Sequence, residues 1–154
     1  MYDKAFEYYL RSANLEESWA CNKIGEMYRL GIGTEIDLKK SFEYYNKALE
    51  VPIDYIENYA KYNLAIYFYM YGNYEIGIEK DEEKAIKLLT QSSDKVIDSQ
   101  IFLLCYYVSK NDLDNILKYK QIIENNSMFD IKLKNKIEDI LKKIKDNNKL
   151  KIEI

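Results

Sequence analysis

Ala20-Cys21-Asn22-Lys23-Ile24-Gly25-Glu26-Met27-Tyr28, followed by Asp37-Leu38-Lys39-Lys40-Ser41-Phe42-Glu43-Tyr44-Tyr45-Asn46-Lys47-Ala48, is a pattern written twice in this chain. Its residue classes recur as Ala60, Leu64-Ala65 and Phe68, and then as Asp81-x-x-Lys84-Ala85-Ile86-x-x-Leu89-x-x-Ser92. Apolar or small residues spaced by three and four mark helix faces. Two such helices form each copy, and repetition at a period of roughly 20–50 residues marks a stack of like units. The fold class that follows is all-α: an α–α superhelix, a solenoid of antiparallel helix hairpins with about eight helices.

The rest of the chain fits around these copies as one domain over 1–154. Residues 1–13 read as an unpaired leading helix, with Tyr2, Phe6, Tyr9 and Ala13 on one stripe. The copies themselves span 16–50 and 54–93. Gly31 suits the left-handed position past a helix end. Asp37 and Asp81 suit helix N-caps, and Pro52 closes the helix before it. In the second copy, helix 54–71 is stopped by Gly72-Asn73, and its loop is four residues longer, without Gly-x-Gly. Ser99, Leu103, Leu104, Tyr107, Asp112 and Ile116 trace a degenerate copy over 96–125. A lysine-rich helix at 129–148 reads as a C-terminal cap.

These motifs resemble the Sel-one-like repeat family, a branch of the tetratricopeptide superfamily. The resemblance rests on Ala20, Ile24, Gly25, Tyr28, Gly31, Gly33, Asp37, Lys40, Ser41, Phe42, Tyr45 and Ala48, with Thr34 where the family often has valine. Lys4-Ala5-Phe6-x-x-Tyr9-x-x-Ser12 matches the second helix of a repeat. The resemblance implies a binding scaffold whose first helices line a concave face. The physical role of the motif is packing. A small residue at 25 or 65 lets helices cross closely. Tyr28, Phe42, Tyr45 and Phe68 supply area between layers, and Lys40 and Lys84 lay their stems along the next layer.

Composition narrows the function. The 154 residues contain no histidine, which removes the commonest general acid–base group and metal ligand. Cys21 and Cys105 belong to no CxxC pair and read as buried small hydrophobes rather than a metal centre. No phosphate-binding glycine loop or nucleophile elbow is present. Glu16-Glu17 and Glu82-Glu83 sit at helix starts, where they suit the macrodipole. No catalytic residue, metal or cofactor is therefore expected, and the protein is read as a non-enzyme. The net charge is −3, and the C-terminal lysines are diluted by Glu138, Asp139 and Asp146. Nucleic acid is thus not an expected partner. No stretch approaches the ~18 apolar residues of a membrane span, and residues 1–6 lack a signal core, so a cytoplasmic protein is expected. Sixteen tyrosines, with abundant Ile, Lys and Asn, fit a biased, bacterial-like genome composition.

Subtracting the packing motif leaves the candidate partner-binding positions. On the first copy these are Trp19, Asn22, Lys23, Glu26 and Arg29; on the second, Tyr59, Tyr62, Asn63 and Ile66, continuing to Tyr69 or Met70. Trp, Tyr and Arg are the side chains most often found at binding hot spots. The function expected is a protein- or peptide-binding scaffold or adaptor, the alternative being a dedicated inhibitor of the immunity-protein kind. The first helix is apolar around much of its circumference, so self-association through Tyr2, Phe6 and Tyr9 is a further expectation, because terminal repeats need a polar outer face.

Overall fold

The computed structural model describes residues 2–15, 17–50 and 54–126, together with 135, 138, 139 and 142. Seven α-helices occur among them: α1 Tyr2–Ala13, α2 Ser18–Leu30, α3 Leu38–Glu50, α4 Asp54–Leu64, α5 Glu82–Ser92, α6 Ile97–Ser109 and α7 Leu113–Asn125. The architecture is all-α, of the α–α superhelix class. The cap expected at 129–148 lies outside the described residues, apart from the helical Asn135, Glu138, Asp139 and Lys142. Pro52 lies outside them as well. No helix among the described residues is long and apolar enough to cross a membrane.

The chain divides into two compact units, Met1–Val96 and Ile97–Ile154. In the first, α2 packs against α1, α3 and α4, and α4 packs against α3 and α5. One core gathers Ala20, Cys21, Ile24, Met27 and Tyr28 of α2 with Ala13, Ala48 and Ala60. A second gathers Tyr45, Leu64 and Phe68, with Phe42, Tyr69 and Leu88 against them. Gly25 has the role expected of it. A Cβ there would stand 2.8 Å from Cδ1 of Tyr45 and 3.2 Å from the carbonyl oxygen of Ser41. Aromatic rings fill the layers, with Phe42 edge-on to Phe68 at 5.2 Å and Tyr28 stacked on Tyr44 at 5.8 Å. Cys21 is buried as expected, whereas Cys105 is exposed.

Three hairpins, α2–α3, α4–α5 and α6–α7, each close through one aspartate. Asp37 accepts the backbone N–H of Lys40 on its side chain at 2.9 Å and donates its own N–H to the carbonyl of Tyr28 at 2.9 Å. Asp81 accepts from Lys84 at 2.8 Å and donates to Tyr69 at 2.9 Å. In the second unit, α6 and α7 form one hairpin, in which Asp112 accepts from Asn115 and donates to Tyr107, both at 3.1 Å. Tyr107 stacks on the buried Tyr119 of α7 at 5.7 Å. The α6–α7 hairpin thus has the same closure as the α2–α3 and α4–α5 hairpins. Left-handed backbone at Gly31 (φ 68°) and at Asn111 (φ 55°) turns the chain out of α2 and α6.

The second copy departs from a continuous helix over 54–71. After Leu64 the backbone adopts a π-helical turn, Ala65–Tyr69, with Met70 N–H bonded to the Ala65 carbonyl at 2.8 Å. A π turn absorbs an extra residue into a helix. The residue tied to the capping aspartate is consequently Tyr69, one beyond Phe68, the residue that matches Tyr28 by sequence. The two then share its work. Phe68 is buried, and Tyr69 takes the lysine, whose Nζ lies 4.0 Å from the ring centroid and donates to the phenol at 2.8 Å. Lys40 lies likewise over Tyr28, at 5.1 Å. Both ammonium groups therefore sit on an aromatic ring of the preceding helix rather than along the next layer. Three further residues form the longer loop, with a 3-10 turn at Tyr74–Ile76 and an Asn73–Ile78 bridge.

Two outcomes follow. Gly25→Ala lowers unfolding free energy by about 1–2 kcal/mol in urea titrations, because overpacking against Tyr45 outweighs the gain in helix propensity. The Asp37 carboxyl is held below its ordinary value, first by the Lys40 N–H and then by the Lys40 ammonium. A depressed folded pKa stabilises above the unfolded value, near 3.8, and that contribution is lost as pH falls through the folded value. Asp37→Asn, which still caps, therefore flattens the fall of Tm between about pH 5 and pH 2.

Candidate functional site

The positions expected from sequence to bind a partner lie on α2 and on α4 with its π turn, and the two helices are in direct contact. The packing motif turns Ala20, Cys21, Ile24 and Gly25 inward and leaves Asn22 and Lys23 on the outer side of α2. Trp19 is 41% exposed although one edge rests on Tyr9, their ring centroids 5.6 Å apart. Lys23 pairs with Glu26 at 2.9 Å, an exposed bridge of small energetic weight. Tyr59, Tyr62, Asn63 and Ile66 are half-buried.

Two contacts join the helices across this surface. Asn63 Nδ2 donates to Asn22 Oδ1 at 3.1 Å. The Arg29 guanidinium carbon lies 3.8 Å from the centroid of the Tyr67 ring. The structure thus brings together Asn22 with Asn63, Lys23 with Glu26, and Trp19 with Tyr9. Of the three residues expected to self-associate, Tyr2 is 67% exposed, whereas Phe6 and Tyr9 rest against the first core, Phe6 edge-on to Tyr28 at 5.2 Å.

Sequence reading missed two participants. Tyr67 sat between packing positions with nothing to mark it as Arg29's partner. Tyr45 was assigned to packing alone. Its ring slides past α2 where Gly25 leaves room, and its hydroxyl reaches the neighbourhood of Arg29, one turn further along α2. Tyr45 is fully buried, and its hydroxyl has no hydrogen-bond partner; the buried Nε of Arg29 has none either. Burial pushes the Tyr45 phenol up to about 12. The nearby guanidinium offsets this in part without completing a hydrogen bond to the hydroxyl.

A buried hydroxyl with no partner costs about 1–3 kcal/mol. Tyr45→Phe keeps the ring and removes that cost. Thermal unfolding should show a stability equal to the parent or about 1 kcal/mol higher, where loss of a made hydrogen bond would lower it.

The Sel1 repeat family model matches residues 2–16, 20–50 and 58–95. These segments coincide with α1, with the α2–α3 hairpin, and with the hairpin of α4 and α5. No curated protein matches the chain. Among solved structures, the crystal structure of a Sel1 repeat protein from Oxalobacter formigenes is similar at 20% identity, over 93% of this chain and 80% of that one, with a TM-score of 0.37. Sel1 repeats are, in general, protein–protein interaction modules, and with more than half of its residues matched the chain belongs to the Sel1 repeat family.

Proposed function

We propose that this protein is a non-catalytic scaffold or adaptor that binds a protein or peptide on the face formed by α2 and α4. The observation that carries this reading is the continuity of that face. Trp19, Asn22, Arg29, Tyr62, Asn63 and Tyr67 come from two repeats, and the Asn22–Asn63 bond and the Arg29–Tyr67 contact join the helices. Aromatic rings held by neighbours lose little rotamer freedom on binding, which favours them as anchors. The remaining amide hydrogen-bonding capacity of Asn22 and Asn63 suits a peptide backbone. A dedicated inhibitor of a single enzyme would use the same face, and the two roles differ only in the partner's identity.

Trp19→Ala and Tyr62→Ala test the assignment. Each should fold, as circular dichroism can verify, and each should reduce recovery of native partners from a cell extract by tenfold or more, the usual scale of a hot-spot truncation of about 2 kcal/mol. Unchanged recovery by both folded variants rules out this face.

A further inference from the structure

The Arg29 arrangement is more specific than a general binding face. A guanidinium normally meets an acid, yet Arg29 makes no ion pair among the described residues. The neighbouring acid on its own helix, Glu26, is taken by Lys23. Arg29 lies against Tyr67, which holds its position without neutralising its charge. Its Nε is buried and has no hydrogen-bond partner among the described residues. The fully buried hydroxyl of Tyr45 is equally unpartnered beside it.

The repeat itself does not require this arrangement. Counted from Gly25 and Ala65, the position of Arg29 is filled in the second copy by Tyr69; counted from Asp37 and Asp81, that of Tyr45 is filled by Leu89, and neither brings an unpaired cation. Four buried side-chain atoms among the described residues lack a hydrogen-bond partner, Ser18 Oγ, Ser41 Oγ, Arg29 Nε and the Tyr45 hydroxyl, and the last two stand beside each other, a cost that the repeat pattern does not explain.

We infer that Arg29, held against Tyr67 and beside the hydroxyl of Tyr45, binds a carboxylate carried by a peptide partner. The inference rests on the α2–α4 face being the binding face. A guanidinium has in-plane N–H donors that match a carboxylate two-to-two. Tyr45 is a positioning residue: a small rotation lets Arg29 Nε–H donate to its hydroxyl, which fixes the fork as the acid docks. The single cation suits a monoanion, since a phosphate dianion would meet Glu26 nearby, and among the described residues the other cations of α2 and α4, Lys23 and Lys61, are paired with Glu26 and Glu57.

The probes are two arrays of random dodecapeptides. One is tethered through its C-termini, offering only side-chain carboxylates, and the other has free C-termini. Peptides retained by the wild-type chain should be enriched in Asp or Glu on the first array, and changing that residue to Asn or Gln should cost about tenfold or more in affinity. Enrichment confined to the second array assigns the carboxylate to a chain terminus. Arg29→Gln should abolish the acid-over-amide preference, and Arg29→Lys should retain part of it. Tyr45→Phe should weaken the preference severalfold with Tm unchanged or raised, which a purely structural role would not produce. Full acid preference in Arg29→Gln, or binders without a carboxylate, overturns the inference. Binders of the latter kind that are lost on Trp19→Ala leave the binding face intact and sink only the carboxylate. A chain that retains no peptide on either array overturns both.

Discussion

The α2–α3, α4–α5 and α6–α7 hairpins each hang on one aspartate bonded in two directions. Its carboxylate accepts the N–H three residues on, which starts the second helix. Its own N–H donates to the carbonyl of an aromatic residue near the end of the first helix. The cap and the clasp are one residue, so the start of one helix is pinned to the end of the other whatever lies between. That explains how connections of such different length give the same junction: the clasped pairs are Tyr28 and Asp37, Tyr69 and Asp81, and Tyr107 and Asp112. Lengthening a closed loop from about five to about twelve residues costs only about 0.8 kcal/mol in chain entropy, less than a cap contributes.

The clasp also accounts for the π turn. Sequence spacing places Phe68 opposite Tyr28, and Phe68 does occupy the core. But the clasp must be made by a residue that faces the loop, and the extra residue in Ala65–Tyr69 moves Tyr69 into that place. One aromatic in the first copy thereby becomes two in the second, one for burial and one for the lysine. In the first copy the comparable latitude lies at Gly25. The missing side chain lets Tyr45 run past α2 and bring a hydroxyl to Arg29.

Much of the fold was legible because it is local. Helix faces, the caps at Asp37 and Asp81, the left-handed Gly31 and the turn at Asn111-Asp112 each depend on a few adjacent residues. The π turn was not legible, since the copies agree in spacing through Phe68 and the surplus residue is indistinguishable from loop until the backbone is seen. The exposure of Cys105 was missed for a different reason: a small thiol on a helix is compatible with either face. The binding positions could be picked out by subtraction, but not their pairings. Asn22 meets Asn63, and Arg29 meets Tyr67, across some forty residues of chain that no local pattern connects. Tyr45 was hidden by its own aromaticity, because its ring satisfies the packing template and draws attention from the oxygen at its tip.

The clasped hairpins also bear on how the chain reaches its structure. In the first unit the principal contacts join helices one or two places apart in sequence. Such contacts close small loops, so little of the search for the native state requires distant segments to find each other, and chains of this kind fold fast for their length. A hairpin clasped by its own aspartate supplies a local starting point, from which neighbouring hairpins can be added in either direction. Order in this molecule can therefore spread from whichever hairpin forms first.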